Sequence, residues 1–379
     1  MRAWVRSAVL IGAVTLLAIA AAEVAARAGR SAVLRREGLL PAPSRADLSG
    51  LSEAQWLDYD RLAVAELKPY VGFAPRANYR SATVNTNALG FRGPAVRNPR
   101  PPGRVRVAVI GRSAAFGTGA SSDAVTFPAR LEAALRTRTG RDVEVVNAGA
   151  PAYVSGQELA RLTFEVLDLE PDIAVVYDGF NDLNSALLFD PRPGYPSNFS
   201  WLERAVHFNS FRHLLAYRIQ LGAQERGLGF WARRLRGVRD GVPLAAPAVD
   251  PEIIDTYRRN LDRMVALLQS RGIRVICVFQ PTLVAKRRRT TAEDGVLAYG
   301  VLAYMERQHP GYARRFGDLL PGTVGAMRGV ASARGVTFVD LSNVFDDSAD
   351  TIFFDSAYVT DRGNALIADR LAPETEKLL

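Results

Sequence analysis

A serine, a glycine, an asparagine and an aspartate stand at the ends of strand-like runs in this chain: Ser113, Gly149, Asn181 and Asp355. A nucleophile, two hydrogen-bond donors and a carboxylate are parts that acyl transfer needs. Ser113 lies in Gly111-Arg112-Ser113-Ala114-Ala115-Phe116-Gly117-Thr118-Gly119, directly after the β-branched run Arg104 to Ile110. A serine at a tight strand-to-helix turn presents its hydroxyl at a sheet edge. Its own N–H, near a helix N-terminus, can help stabilise an oxyanion. Gly149, in Asn147-Ala148-Gly149-Ala150-Pro151, could offer a backbone N–H to the same pocket. In Asp178-Gly179-Phe180-Asn181-Asp182, Asn181 could aim its amide at a developing negative charge. Each motif also reads as ordinary turn chemistry. Their order is the informative part.

The elements that must position them alternate between strands and helices from residue 104 onward. Strands are expected at Arg104 to Ile110, Asp142 to Asn147, Asp172 to Tyr177, Ile273 to Phe279 and Val336 to Leu341. Helices are expected at Thr126 to Arg138, Gly156 to Leu169 (Ser155 as N-cap), Pro251 to Arg271 and Asp361 to Leu371. This alternation implies an α/β fold, a doubly wound three-layer sandwich on a central parallel five-stranded sheet. Ligands in such sheets bind beyond the carboxyl ends of the strands, where the four residues fall. Insertions at about 183–249 and 283–317 leave that same edge. The expected organisation is 1–26 as a signal anchor or signal peptide, 27–103 as a connector with short strands and turns, and 104–379 as the main domain. Asn98-Pro99-Arg100-Pro101-Pro102-Gly103 reads as a stiff linker between the last two.

The N-terminus is a membrane-targeting segment. Arg2 and Arg6 precede an apolar stretch of 16 residues from Ser7 to Ala22, short for a spanning helix of ~20. Ala18-Ile19-Ala20 offers a cleavage site, whereas extension through Val24-Ala25-Ala26 favours an uncleaved anchor. Arginines at 27, 30, 35 and 36 argue for a cytoplasmic main domain. The basic start with a short apolar core argues for export to the periplasm or the cell exterior, which is the expectation adopted.

Net charge is +9 over 379 residues, with Lys68, Lys286 and Lys377 as the only lysines. Lys286-Arg287-Arg288-Arg289 reads as a solvated loop, with an anionic lipid or glycan as its functional alternative. No nucleic-acid-binding signature accompanies it, so nucleic acid is not an expected partner. Cys277, the single cysteine, reads as a small buried hydrophobe. The absence of a Gly-Lys-Ser/Thr after Ser113 argues against a nucleotide-binding module.

On these motifs the chain resembles the SGNH, or GDSL-type, hydrolase superfamily over roughly residues 104–372. Ser113 matches the family's nucleophile, with Arg112 where an Asp or Gly is usual. Gly149 and Asn181 match its oxyanion-hole donors. Asp355 matches the Asp of the Asp-x-x-His block, and Thr360 to Asn364 the segment that follows it. Asn85 to Gly93 looks like the lead-in of membrane-anchored bacterial members. The resemblance implies a membrane-anchored enzyme that cleaves an ester or acetyl group from a small-molecule, lipid or cell-envelope glycan substrate, with no metal and no organic cofactor.

The departure is Tyr358, which stands where that block has its histidine. A triad histidine takes the serine proton with a pKa near 7, whereas a tyrosine titrates near ~10. Lowering it by three units needs about 4 kcal/mol of differential stabilisation, for which Arg112 and Arg362 are the candidate cations. Asp355 could act as a weaker base. His207, His213 or His309, all in the insertions, could supply a substitute. The reading from another class is a binding or accessory protein that keeps the pocket without efficient turnover. Its ligand would be an envelope glycan met by Phe199, Trp201 and Trp231 of the first insertion.

Overall fold

The computed structural model describes residues 2–36, 50–60, 65–188, 191–196, 199, 228, 231, 247–299 and 301–379. The chain divides into two compact units, residues 1–42 with 200–241, and residues 43–199 with 242–379. The stretch expected as a connector, 27–103, is therefore shared between them.

Among the described residues, the first unit contains the helix Arg2–Arg36. It continues well past the apolar stretch read from sequence. Within it, Val9–Gly29 is long and apolar enough to cross a membrane, with a mean hydropathy of 2.3. Trp231 Nε1 donates to the Ala26 carbonyl (3.1 Å), and the Leu228 N–H donates to Glu23 (3.1 Å).

The second unit carries the sheet. A helix (Glu53–Asp60) and an antiparallel hairpin of β1 (Ala65–Lys68) and β2 (Gly72–Pro75) precede it. The sheet strands are β3 (Val105–Gly111), β4 (Val143–Asn147), β5 (Ile173–Asp178), β6 (Arg274–Phe279) and β7 (Thr337–Asp340). All pair in parallel, in the order β4-β3-β5-β6-β7. Strand side chains alternate between faces, so β3 splits its residues between two cores. Val107 and Val109 pack with Phe127, Leu131 and Ile367 on one side. Ala108 and Ile110 pack with Leu261, Met264 and Met327 on the other. Helices Phe127–Thr139 and Asp361–Glu376 cover the first face, and Asp250–Ser270 with Tyr312–Arg334 covers the second. This is the expected three-layer sandwich on a parallel five-stranded sheet.

From β3 the chain moves outward to β4, then returns past β3 to form β5. That reversal opens a crevice beyond the carboxyl ends of β3 and β5, where doubly wound sheets bind ligands.

Three local expectations are corrected, and the second insertion acquires a definite form. The helix after β4 is regular only over Ser155–Arg161, continuing as a π-turn (Leu162–Val166) and a 3₁₀ turn (Leu167–Leu169). Val154, not Ser155, is its N-cap, because the Ser155 hydroxyl is drawn to Asp182 (2.7 Å). The second insertion is mostly helical: Thr291–Tyr299, Val301–Gln308, and the start of a 23-residue helix at Tyr312. The basic run is not a solvated loop throughout. Lys286 is buried on Glu293, and Arg287 and Arg289 pair with Asp346 (2.5 Å) and Asp294 (2.9 Å). Cys277 is buried in β6, and burial, aided by Asp178, pushes its thiol up to about 12.

Candidate active site

β3 must turn sharply to deliver Ser113, and Gly111 permits it. A Cβ there would lie 2.4 Å from the Tyr177 carbonyl oxygen of β5. Ser113 opens a one-turn helix, Ser113–Phe116, closed by Gly117 in the left-handed region (φ 86°). Its hydroxyl is nearly buried and accepts a hydrogen bond from the Ala152 N–H (3.1 Å). Nothing in the sequence marked Ala152, since a backbone donor carries no side-chain signature.

Gly149 lies against the same turn, where a Cβ would meet the Phe116 nitrogen at 2.3 Å. Its N–H donates to Asn147 Oδ1 (3.1 Å). Asn181 begins the helix Asn181–Leu188, and its amide donates to the Tyr153 carbonyl (2.8 Å). The loop of Ala152 and Tyr153 thus links Ser113 to Asn181. The Gly149 N–H and the Asn181 amide, both read as oxyanion donors, make hydrogen bonds within the protein here.

Asp355 and Tyr358 sit on the loop before the last helix, held by a bridge between Phe353 and Val359. Asp355 is buried and accepts a hydrogen bond from the Ser356 hydroxyl (2.7 Å). The Tyr358 ring tilts against Phe354 (centroids 6.0 Å apart), and its hydroxyl lies close enough to Ser113 to feel it. Burial, then the negative charge of Asp355, pushes the Tyr358 phenol well above its usual range, and the nearby Ser113 hydroxyl offsets this only in part. A phenol so placed is neutral at physiological pH.

Neither arginine considered from sequence counteracts that shift. Arg362 is exposed and pairs with Asp350 (3.4 Å). Arg112 turns into the interior, where it meets Glu158 (2.7 Å), Asp178 (2.5 Å) and Asp182. Burial opposes its charge, but the three acids outweigh that and keep it protonated.

Two arms brace the site from outside. Arg92, nearly buried, pairs with Asp123 (2.8 Å) and donates to the Thr83 (2.6 Å) and Gly117 (2.5 Å) carbonyls. Glu293 accepts from Lys286 (2.9 and 2.7 Å) and from the N–H groups of Thr290 (2.9 Å), Ile352 (2.9 Å) and Phe353 (3.1 Å), which anchors the Asp355 loop.

His207, His213 and Trp201 lie outside the described residues. His309 packs at the head of the helix from Tyr312, whose N–H donates to its carbonyl (3.0 Å). Among the described residues no histidine hydrogen-bonds Ser113. Phe199 meets Tyr195 edge to face (4.8 Å), while Trp231 belongs to the first unit. Among the described residues no cluster of His, Cys, Asp or Glu is arranged to hold a metal ion.

The profile of the GDSL-like lipase/acylhydrolase family matches residues 109–366, from the last turns of β3 into the closing helix. The chain belongs to that family. Among solved structures, the lipase/acylhydrolase from Enterococcus faecalis is similar at 16% identity, over 72% of this chain and 96% of that one, with a TM-score of 0.41. A G-D-S-L family lipolytic protein of Desulfitobacterium hafniense is similar at 14% identity, over 73% and 99%, with a TM-score of 0.37. The acetyl xylan esterase AlAXEase is similar at 14% identity, over 71% and 99%, with a TM-score of 0.39. No curated protein matches the chain. The GDSL-type family is one of ester hydrolases, and the helix Arg2–Arg36 could serve such a protein as a membrane anchor or a signal sequence.

Proposed function

We propose that this protein is a membrane-anchored, exported GDSL-type ester hydrolase or deacetylase with Ser113 as nucleophile, acting on a lipid or cell-envelope glycan ester. The observation that carries the reading is the Ser113 hydroxyl itself. It stands at the crevice between β3 and β5, with the Ala152 N–H on its oxygen and the Tyr358 hydroxyl beside it. Ser113 attacks the ester carbonyl. The Ser113 N–H at the start of its helix, with Gly149 and Asn181 once substrate displaces their internal partners, receives the oxyanion.

Tyr358, occupying the position of the family's histidine, does not take the serine proton in this reading. Its raised pKa leaves it a neutral hydrogen-bond partner that orients the Ser113 hydroxyl. Asp355 is then the weak acceptor, and turnover is slow. Losing the strong base of such a site leaves only what the oxyanion hole and binding supply.

One observation favours the second reading, an accessory protein that binds an envelope glycan. The Gly149 N–H and the Asn181 amide already have partners, in Asn147 and Tyr153. A fluorophosphonate probe separates the two. Labelling of the wild type that is lost in Ser113→Ala supports the hydrolase. No labelling and no ester turnover in the wild type, with both appearing in Tyr358→His, selects the accessory protein.

A further inference from the structure

Behind Ser113 lies a cluster whose charges do not balance. Arg112, Glu158, Asp178 and Asp182 are each at most 3% exposed. One guanidinium there faces three carboxyl groups, which leaves an excess of two negative charges if all ionise. Burying uncompensated charge is costly, and groups in that position take up protons instead.

The hydrogen bonds locate the imbalance. Asp182 is fully engaged, by Arg112, by the Ser155 hydroxyl (2.7 Å) and by the Ser155 N–H (3.2 Å). Asp178 Oδ1 forms an ion pair with Arg112 and accepts from the Gly179 N–H (2.6 Å), and Glu158 Oε1 accepts from Arg112. Asp178 Oδ2 and Glu158 Oε2 are buried and have no donor among the described residues. Ionised carboxylate oxygens only accept, and the two carboxyl groups are close enough for each to influence the other's protonation. A hydrogen bond between them requires a proton.

We propose that Asp178 and Glu158 share one proton, and that this proton lets Arg112 tie the turn carrying Ser113 to the turn carrying Asn181. Arg112 precedes the serine, while Asp178 and Asp182 flank Gly179–Asn181, so the guanidinium bridges both sides of the crevice. The groups facing the pair act in both directions, and burial is the largest influence. Burial acts first on both acids and raises both. Arg112 opposes it, whereas the Asp182 charge reinforces it, and the Asp178–Glu158 interaction raises Asp178 further. Tyr257 and Cys277, the remaining titratable neighbours, are themselves pushed up and stay neutral. The shared proton is a property of the folded chain, independent of whether Ser113 turns over an ester.

Infrared spectroscopy of the full chain in deuterated buffer at neutral pH reads the proton directly. The wild type is expected to show the carbonyl stretch of a protonated carboxyl, absent from both Asp178→Asn and Glu158→Gln. No such band in the wild type, or a band surviving in both variants, overturns the shared proton. Hydrogen exchange reads the bridge. In Arg112→Ala, peptides spanning 111–117 and 178–182 are expected to exchange at least ~10-fold faster together, each tenfold being 1.4 kcal/mol of local opening. Unchanged exchange in both peptides overturns the bridging role. Should Arg112→Ala fail to fold, Arg112→Lys, which keeps the charge but not the fork, is read in the same way.

Discussion

Lys286 meets Glu293 one to one, whereas Arg112 meets three carboxyl groups, and the carboxyl groups of these two buried clusters end up shifted in opposite directions. For Glu293, burial alone would raise the carboxyl pKa. The Lys286 ammonium and the N–H groups of Thr290, Phe353 and Ile352 outweigh it, so the group sits below its ordinary value. For Asp178 and Glu158, burial and the nearby Asp182 charge prevail over Arg112, and both sit above theirs. The clusters hold different segments of the proposed site: Glu293 the loop of Asp355, Arg112 the turns of Ser113 and Asn181. Burial by itself therefore does not set the state of an ionisable group; the count of donors around it does.

The largest effect expected from this contrast is Glu293→Ala. It leaves the Lys286 ammonium buried without its carboxylate and frees two N–H groups of the Asp355 loop. Loss of one partner of a buried pair costs about 3–5 kcal/mol, measurable as a shift in denaturant midpoint. A loss below about 1 kcal/mol would show that the pair contributes no more than a surface contact.

The pH dependence distinguishes the clusters by sign. Glu293, depressed in the folded state, contributes stability that is present above its unfolded pKa and lost as pH falls through the folded value. Asp178 and Glu158, raised in the folded state, contribute stability that is complete below their unfolded values near ~4 and declines as pH rises toward the folded ones. Each retained proton corresponds to a slope of about 1.4 kcal/mol per pH unit over that window. Asp178→Asn should remove the declining component, so unfolding free energies of variant and wild type diverge as pH rises above about 4. Parallel curves would break the comparison.

Smaller effects sharpen it. Gly149→Ala forces a Cβ to within 2.3 Å of the Phe116 nitrogen and should cost about 1–3 kcal/mol in thermal or chemical unfolding. Arg287→Ala, next to Lys286 but with its side chain 78% exposed, should change stability by less than about 1 kcal/mol.

The sheet and its strands were legible in the sequence because β-branched runs such as Val105–Ile110 and Ile173–Tyr177 are unambiguous, and their order placed Ser113, Gly149 and Asn181 on one edge. The helix Tyr312–Arg334 was not, since Pro321 and four glycines at 317, 322, 325 and 329 lower helix propensity that tertiary packing restores. Lys286 read as solvent-exposed because its partner lies seven residues on and its burial depends on the Asp350–Phe353 segment. Arg112 read as a cation available to Tyr358 because its acids are 46, 66 and 70 residues away, beyond the reach of any local pattern. Local patterning reveals elements; charge partners are set by the fold.

Ester hydrolysis by wild type, Ser113→Ala, Tyr358→Phe and Tyr358→His, with one short-chain activated ester, tests most directly whether Tyr358 is a neutral partner rather than a base. The account predicts slow turnover that requires Ser113 and that Tyr358→Phe changes by no more than ~10-fold. It predicts a gain of ~100- to 10,000-fold in Tyr358→His, the usual contribution of a positioned base. Abolition of turnover in Tyr358→Phe, with no gain in Tyr358→His, would contradict it.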